Sequence, residues 1–232
     1  PVCTFLSGGL DSSTLSALAA KYYRGQNKQL KTFSIDYKDN NKYFEKSLFQ
    51  PNADSEYVEQ MSEHIGSDHY NYVCDTPMLL RSLKPALDAR DLPGMADVDS
   101  SLMLFCEEVK KQATVALSGE CADEIFGGYP WFTNPDMLRL DIFPWANSLV
   151  LRKIVLSDEL KSLPIEDYAK DAFKKTCDET PLLLNETKEE NLRRKMFYLN
   201  MKWFMTNLLE RKDRMSMACG LEVRVPFCDH RI

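Results

Sequence analysis

Short apolar runs alternate with helical periodicity over the first 118 residues, and this alternation constrains the fold most. Val2 to Leu6, Leu30 to Ile35, His69 to Cys74 and Thr114 to Leu117 read as strands. Between the first two, Leu15, Leu18, Ala19 and Tyr22 repeat at i, i+3, i+4, i+7, an amphipathic helix ending near Gly25. Asp54 caps a second helix that runs to about Ile65 and stops at Gly66. Thr76-Pro77 starts a third, with Pro85 placed to kink it, and Ser100 or Ser101 opens a fourth, to about Gln112. Parallel neighbours need a crossover, usually a helix, so this order predicts an α/β fold: a parallel sheet with flanking helices. Ligands of such sheets bind off the carboxyl ends of the strands. Residues 36–53 are polar and irregular and read as a mobile loop; 88–99, with four acids and a Pro-Gly, reads as another loop.

Beyond Tyr129 strands largely vanish, so the sheet is expected to be followed by an α-helical extension. The expected division is an α/β core over 1–130 and a mainly helical part over 131–232. Asn134-Pro135 and Thr187-x-x-Glu190 look like helix starts, the second with capping-box spacing. Met, Phe, Trp and Leu recur at helical spacing from about Thr187 to Ala218, a pattern that reads as core rather than cofactor box.

Composition removes several function classes. A hydrophobic fraction of 44% supports a globular core, while a net charge of −6 with no Lys/Arg-rich run argues against broad nucleic-acid binding. No apolar run is long enough to span a membrane, and no signal-peptide pattern is present. The seven cysteines are scattered without C-x-x-C, which fits free thiols in a reducing cytoplasm. His64, His69 and His230 are too few and too separated for a zinc site.

Chemistry concentrates in three stretches. Ser7-Gly8-Gly9-Leu10-Asp11-Ser12-Ser13 joins the first strand to the first helix. Glycines there let backbone N–H groups approach an oxyanion, and the serines add short donors. Asp11 would repel a phosphate unless a divalent cation lies between, and Mg²⁺ takes that mixture of carboxylate and phosphate oxygens. Neither the P-loop lysine pattern nor G-x-G-x-x-G is present. The stretch resembles the SGGxDS signature of the ATP pyrophosphatases, the PP-loop. A helix cap made by Asp11 or Ser12 is the simpler structural reading.

Ser118-Gly119-Glu120-Cys121-Ala122-Asp123-Glu124, then Gly127-Gly128-Tyr129, again follows a strand and sets three acids within five residues. A cation or an incoming ammonium-like group would relieve their repulsion; a solvated helix N-terminus is the plainer account. The third stretch is Arg211-Lys212-Asp213-Arg214-Met215-Ser216, then Gly220 to Asp229. By itself it reads as a helix end and a turn with a local Glu222–Arg224 ion pair.

Taken in order, SGGLDSS, SGE-x-ADE-x-FGGY and DR-x-SM with LE-x-R-x-PF-x-D resemble the synthetase domain of the glutamine-dependent asparagine synthetases, over essentially the whole chain. The resemblance implies an adenine nucleotide alpha hydrolase-like fold, with ATP and Mg²⁺ bound. The aspartate side-chain carboxylate is adenylated with release of pyrophosphate, and ammonia then displaces AMP to give asparagine. It implies that Ser7, Gly8, Gly9, Ser12 and Ser13 cradle pyrophosphate, and that Leu6, Ile35, Ser118 and Gly119 hold AMP. Asp11 and Asp123 match the family's Mg²⁺ ligands. Glu120 matches the glutamate tied to the aspartyl-adenylate and to admitting ammonia. The family's lysine beyond LE-x-R-x-PF has no counterpart before Ile232, and Arg214 is its stand-in among the catalytic candidates Glu120, Asp123 and Arg214.

The expected partners are small molecules (ATP, aspartate and ammonia from glutamine) and an N-terminal glutaminase domain, with no nucleic acid or membrane; a homodimer is compatible with the resemblance. The glutaminase half would begin with a catalytic cysteine, whereas Pro1 begins these residues and Cys3 lies in a strand. The chain therefore reads as the C-terminal domain of a longer enzyme. Cys121 stands where the family has a small residue and reads as packing rather than sulfur chemistry. Leu92 to Asp99 departs from the Thr- and Arg-bearing substrate loop of the better-known bacterial enzymes, which opens the identity of the acid. Relatives that close β-lactam rings or amidate peptides share the motifs. Other PP-loop enzymes, such as tRNA-modifying, GMP- or NAD-type ones, and a non-catalytic nucleotide-binding module are the remaining alternatives.

Overall fold

The computed structural model describes residues 1–47, 53–146 and 148–232, with backbone alone at 96 and 97. Two compact units are present: residues 1–122 with 207–232, and residues 123–206.

The first unit is the α/β layer. In order it contains β1 (Val2–Phe5), α1 (Leu10–Arg24), β2 (Lys31–Tyr37), α2 (Asn40–Tyr43), α3 (Asp54–Ile65), β3 (Asp68–Cys74), α4 (Thr76–Arg90), α5 (Ala96–Lys110) and β4 (Val115–Leu117). A short α6 (Ala122–Phe126) follows at the unit boundary, and α13 (Thr206–Ala218) and β5 (Glu222–Arg224) close the first unit. All pairings are parallel, and the strand order is β3-β2-β1-β4-β5. The chain builds outward from β1 to β3 on one side, then returns to β1's other edge for β4 and β5. The switch point thus lies between β1 and β4, in register Val2↔Val115 to Thr4↔Leu117.

Burial follows from helices covering the sheet. Cys3, Phe33, Ala116, Phe105, Cys106, Val109, Met215 and Leu221 form the main cluster. Phe33 is 2% exposed and stacks on Tyr70 with ring centroids 5.1 Å apart. The histidine of β3 is half-buried: His69 Nδ1 lies 2.9 Å from Thr32 Oγ1 and Nε2 lies 3.1 Å from Ser34 Oγ. Burial lowers its pKa from the usual 6.5.

The four expected strands are all present, and the helix over Asp54–Ile65 ends at Gly66 in the left-handed region. Three details differ from the sequence reading. Ala53, not Asp54, is the N-cap of α3, and Asp75, not Thr76, caps α4, its carboxylate accepting the Met78 N–H at 2.8 Å. The loop read at 88–99 is shorter, because α4 runs to Arg90 and α5 begins at Ala96. A buried ion pair makes this feasible: Arg90 and Asp99 are 5% and 3% exposed with 3.4 Å between them, and Arg90 also donates to Asn207 Oδ1 at 2.6 Å. Finally, β5 was not anticipated. Its three residues do carry the local Glu222–Arg224 pair, at 2.8 Å, but their backbone extends the sheet. In the stretch read as a mobile loop, β2 continues to Tyr37 and α2 forms; residues 48–52 of that stretch lie outside the described residues.

The second unit is helical: after the boundary come α7 (Pro130–Thr133), α8 (Pro135–Leu138), α9 (Leu149–Ile154), α10 (Asp158–Lys161), α11 (Ile165–Glu179) and α12 (Lys188–Leu199). A wider π turn over Asn200–Met205 follows α12. The capping box at Thr187 and Glu190 is present with both bonds, and Asn134 caps α8. Trp131, Phe132, Leu138 and Met196 form its core, with Trp131 5.3 Å from Phe204 and Phe132 4.3 Å from Phe197. The aromatic and methionine pattern is packing, as read.

Two stability tests follow from these contacts. Phe33→Ala should cost about 3–5 kcal/mol, read from the urea midpoint, since a stacked, buried ring leaves a cavity. The lowered His69 pKa sets a sign for pH dependence. Above 6.5 both folded and unfolded imidazoles are neutral and the fold carries no penalty. As pH falls below 6.5 the unfolded chain binds a proton the folded chain resists, so stability drops until the folded pKa is passed. Urea midpoints between pH 7.5 and pH 5 should therefore fall more for the wild type than for His69→Gln.

Candidate functional site at the switch point

The turn after β1 is built by glycine and serine. Gly8 has φ +80°, and a Cβ there would lie 2.8 Å from Tyr57 Cβ and 2.9 Å from the Asp54 carbonyl, so only glycine fits. Gly9 is the N-cap of α1 and makes no side-chain cap; neither Asp11 nor Ser12 caps the helix. Instead Ser12, buried, ties the turn together. Its hydroxyl accepts the Ser7 N–H at 3.1 Å, donates to the Gly9 carbonyl at 3.1 Å and sits 3.0 Å from Ser7 Oγ. The first intrahelical bond is Ser13 N–H to Gly9 O, at 3.1 Å. The N–H groups of Leu10, Asp11 and Ser12 thus have no helical carbonyl to bond, which is the geometry of an anion-receiving helix end on a 15-residue helix.

The turn after β4 meets it directly. Ser118 is buried and donates its N–H to the Arg224 carbonyl at 2.9 Å. A Cβ on Gly119 would come within 2.9 Å of the Ser12 nitrogen and 3.2 Å of Asp11 C and Cβ. Backbone packs against backbone here. Leu6 is 1% exposed and its N–H donates to the Phe33 carbonyl at 2.8 Å, while Ile35 lies two residues further along β2. The structure therefore brings Leu6, Ser7, Gly8, Gly9, Asp11, Ser12, Ser13, Ile35, Ser118 and Gly119 to one end of adjacent strands β2, β1 and β4.

The acids have different local surroundings. Asp11 is half-buried, and burial raises its carboxyl pKa above the ordinary value, its own backbone N–H opposing this. No neighbouring charge contributes. Asp123 is exposed and begins the second unit, where its carbonyl accepts the Gly127 and Gly128 N–H groups, both at 3.0 Å. Glu124 is 1% exposed and accepts the Tyr129 hydroxyl at 2.6 Å. Glu120 is gripped from α13: Arg211 Nη2 donates to Oε1 at 3.0 Å and Lys212 Nζ lies 2.9 Å from Oε2. Arg214 instead faces Asp91 at 3.7 Å and is about half exposed. Arg211 and Lys212 were quoted in the third motif without a role, because only tertiary structure reveals which residues of a helix face a turn 91 positions earlier.

Among the described residues no three His, Cys, Asp or Glu side chains gather as a metal cage. Such a cage is not what Mg²⁺ asks for; it is held by one or two carboxylates, with substrate phosphates and water completing the shell. The donor chemistry at Asp11, a part-buried carboxylate without a neighbouring cation, fits that role. Among the described residues no disulfide joins any of the seven cysteines. Cys121 is 1% exposed with φ +80°, a buried packing residue in a conformation that costs a non-glycine residue energy.

These features define an α/β protein with two glycine turns packed together at the switch point of an open parallel sheet. The asparagine synthase family model matches residues 1–232, and the chain belongs to that family. It is 54% identical over 234 residues to the glutamine-hydrolyzing asparagine synthetase 3 of Bacillus subtilis, matching 100% of this chain and 38% of that protein. It is 29% identical to asparagine synthetase 1 of the same organism, over 99% of this chain and 39% of the relative. It is 25% identical to the human glutamine-hydrolyzing asparagine synthetase, over 97% of this chain and 30% of the relative. The chain thus spans well under half the length of these relatives.

Gly119→Ala tests the close approach of the two turns. Its Cβ must displace the α1 backbone, and the variant should lose about 1–3 kcal/mol by denaturant midpoint, as overpacking does.

Proposed function

We propose that the chain is the synthetase part of a glutamine-hydrolysing asparagine synthetase, forming AMP and pyrophosphate in a cytoplasmic enzyme. The observation that carries this reading is the direct packing of Gly119 on the first turn of α1, which joins the two glycine turns into one oxyanion-receiving surface. Family membership and the 54% identical relative supply the substrate class.

A carboxylate is a poor acylating agent because oxide would have to leave. In the proposed reaction an aspartate side-chain oxygen attacks the α-phosphorus of ATP. The bond to pyrophosphate breaks and an acyl adenylate forms. Ammonia then adds its lone pair to the acyl carbon, the carbon–oxygen bond to AMP breaks, and the excess proton passes to a base. The protein's part is positioning and charge neutralisation. The turn of Ser7, Gly8, Gly9, Ser12 and Ser13, at the N-terminal end of α1, cradles the pyrophosphate portion. Leu6, Ile35, Ser118 and Gly119 hold the AMP portion, largely through backbone. Bound Mg²⁺ would neutralise phosphate charge, with Asp11 and Asp123 as its protein ligands. Glu120 orients the amide-forming step, and Arg214, which faces Asp91, is the stand-in for the family's lysine. Ammonia comes from a glutaminase domain elsewhere in the full-length protein, as the relatives' glutamine-hydrolysing character suggests.

The test uses the full-length protein carrying these residues, ATP, Mg²⁺, ammonium and a panel of carboxylic acids with aspartate first. Aspartate-dependent AMP, pyrophosphate and asparagine are expected, and EDTA should stop all three. Asp11→Asn should slow pyrophosphate release by about 100-fold or more. AMP formed only with a different acid would keep the adenylation chemistry and remove aspartate as its substrate. ATP bound but never cleaved would favour a non-catalytic module.

A further inference from the structure

Glu120 of the second motif is held by two cations, and the way it is held exceeds what folding requires. The side chains of Glu120, Arg211 and Lys212 are each only 11–13% exposed. Burying three charges recovers little stability, because the desolvation cost offsets the attraction. Among the described residues the Arg211 Nε is buried with no acceptor, a further cost. The cluster nevertheless sits beside the switch point. Glu120 directly follows Gly119, and the Lys212 ammonium lies 5.4 Å from the ring centre of Phe5, the last residue of β1.

The geometry is that of a clamp. Arg211 hydrogen-bonds Oε1, and the Lys212 ammonium lies 2.9 Å from Oε2 as an ion pair without hydrogen-bond geometry, so rotation about the terminal carbon–carbon bond of Glu120 would disturb both contacts at once. An sp² oxygen has two lone pairs, so each gripped oxygen retains acceptor capacity. We propose that Arg211 and Lys212 are positioning residues that act through Glu120, fixing its carboxylate plane so that the remaining lone pairs meet the incoming ammonia. This rests on the functional reading above, which gives Glu120 its part in amide formation. It assigns the work of the third motif to its first two residues and leaves Arg214, paired at the surface with Asp91, outside the clamp.

The experiment compares Lys212→Met, Lys212→Arg, Glu120→Gln and the double variant Lys212→Met/Glu120→Gln in the full-length protein. AMP formation with ammonium and the acid the wild type uses is followed, and folding is monitored by circular dichroism and melting. Lys212→Met should lower kcat by about 100-fold, the order of loss a small misplacement produces, with the KM for ATP within about twofold of wild type. Lys212→Arg should recover most of the rate, since it restores the charge contact. The double variant should be no slower than Glu120→Gln alone, because residues acting as one unit are non-additive. A purely structural role would lower the melting temperature without that non-additivity. If Lys212→Met fails to fold, Arg211→Lys keeps the charge and shortens the grip; a lowered kcat supports the clamp and an unchanged one overturns it. A double variant slowed by the product of the single effects also overturns it. So does a raised KM for ATP at unchanged kcat, which would make the lysine a direct substrate contact. A wild type inert with every acid overturns the functional reading and the clamp together, whereas an active wild type with multiplicative effects overturns the clamp alone.

Discussion

The contact between Gly119 and the first turn of α1 is the constraint on which the rest of the site depends. A side chain at 119 would collide with the backbone of Asp11 and Ser12, so the turn after β4 can reach the helix end only as glycine. That contact requires β4 to lie beside β1, and the right- and left-hand growth of the sheet from β1 makes this the place where no crossover helix covers the strand ends. Fold and site are therefore consequences of the same strand order. A sheet that simply added strands in sequence would have put the two glycine turns on distant edges.

Charge is distributed around this contact by environment rather than by sequence spacing. Three acids lie within five residues, yet each has a different surrounding. Glu120 is neutralised by two cations, Glu124 is buried under the Tyr129 hydroxyl, and Asp123 is exposed. Asp11 is the carboxylate whose ionisation burial disfavours, with no charged partner among the described residues contributing to that shift. An acid in that condition gains most from a cation, while one already gripped by Arg and Lys gains least. The separation of roles in the proposed reaction, metal ligand at Asp11 and oriented carboxylate at Glu120, follows from that difference.

Much of the layer was legible because local physics repeats along the chain. Short apolar runs marked β1 to β4, helical spacing and capping residues marked the helices between them, and Gly66, Thr187 with Glu190, and Asn134 acted as the boundaries their chemistry implies. The failures share a cause. Glu222–Arg224 is too short and too polar to show a strand pattern, and became β5 only because β4 offered an unpaired edge. The start of α5 was hidden because Asp99 looked like a loop acid until Arg90 neutralised it in the interior.

The sequence by itself determined the family and the local elements its motifs form: a glycine-serine turn opening a helix, a second such turn after β4, and a third motif ending in Gly220 to Asp229. These are local properties, set by backbone freedom, capping and residue spacing. Tertiary structure decided which charges meet. Arg211 and Lys212, not Arg214, face Glu120, because helix α13 packs against the sheet through Met215 and turns those two side chains toward β1 and β4. Burial then decided the energetics, since the worth of a charge depends on what surrounds it and not on its neighbours in the chain.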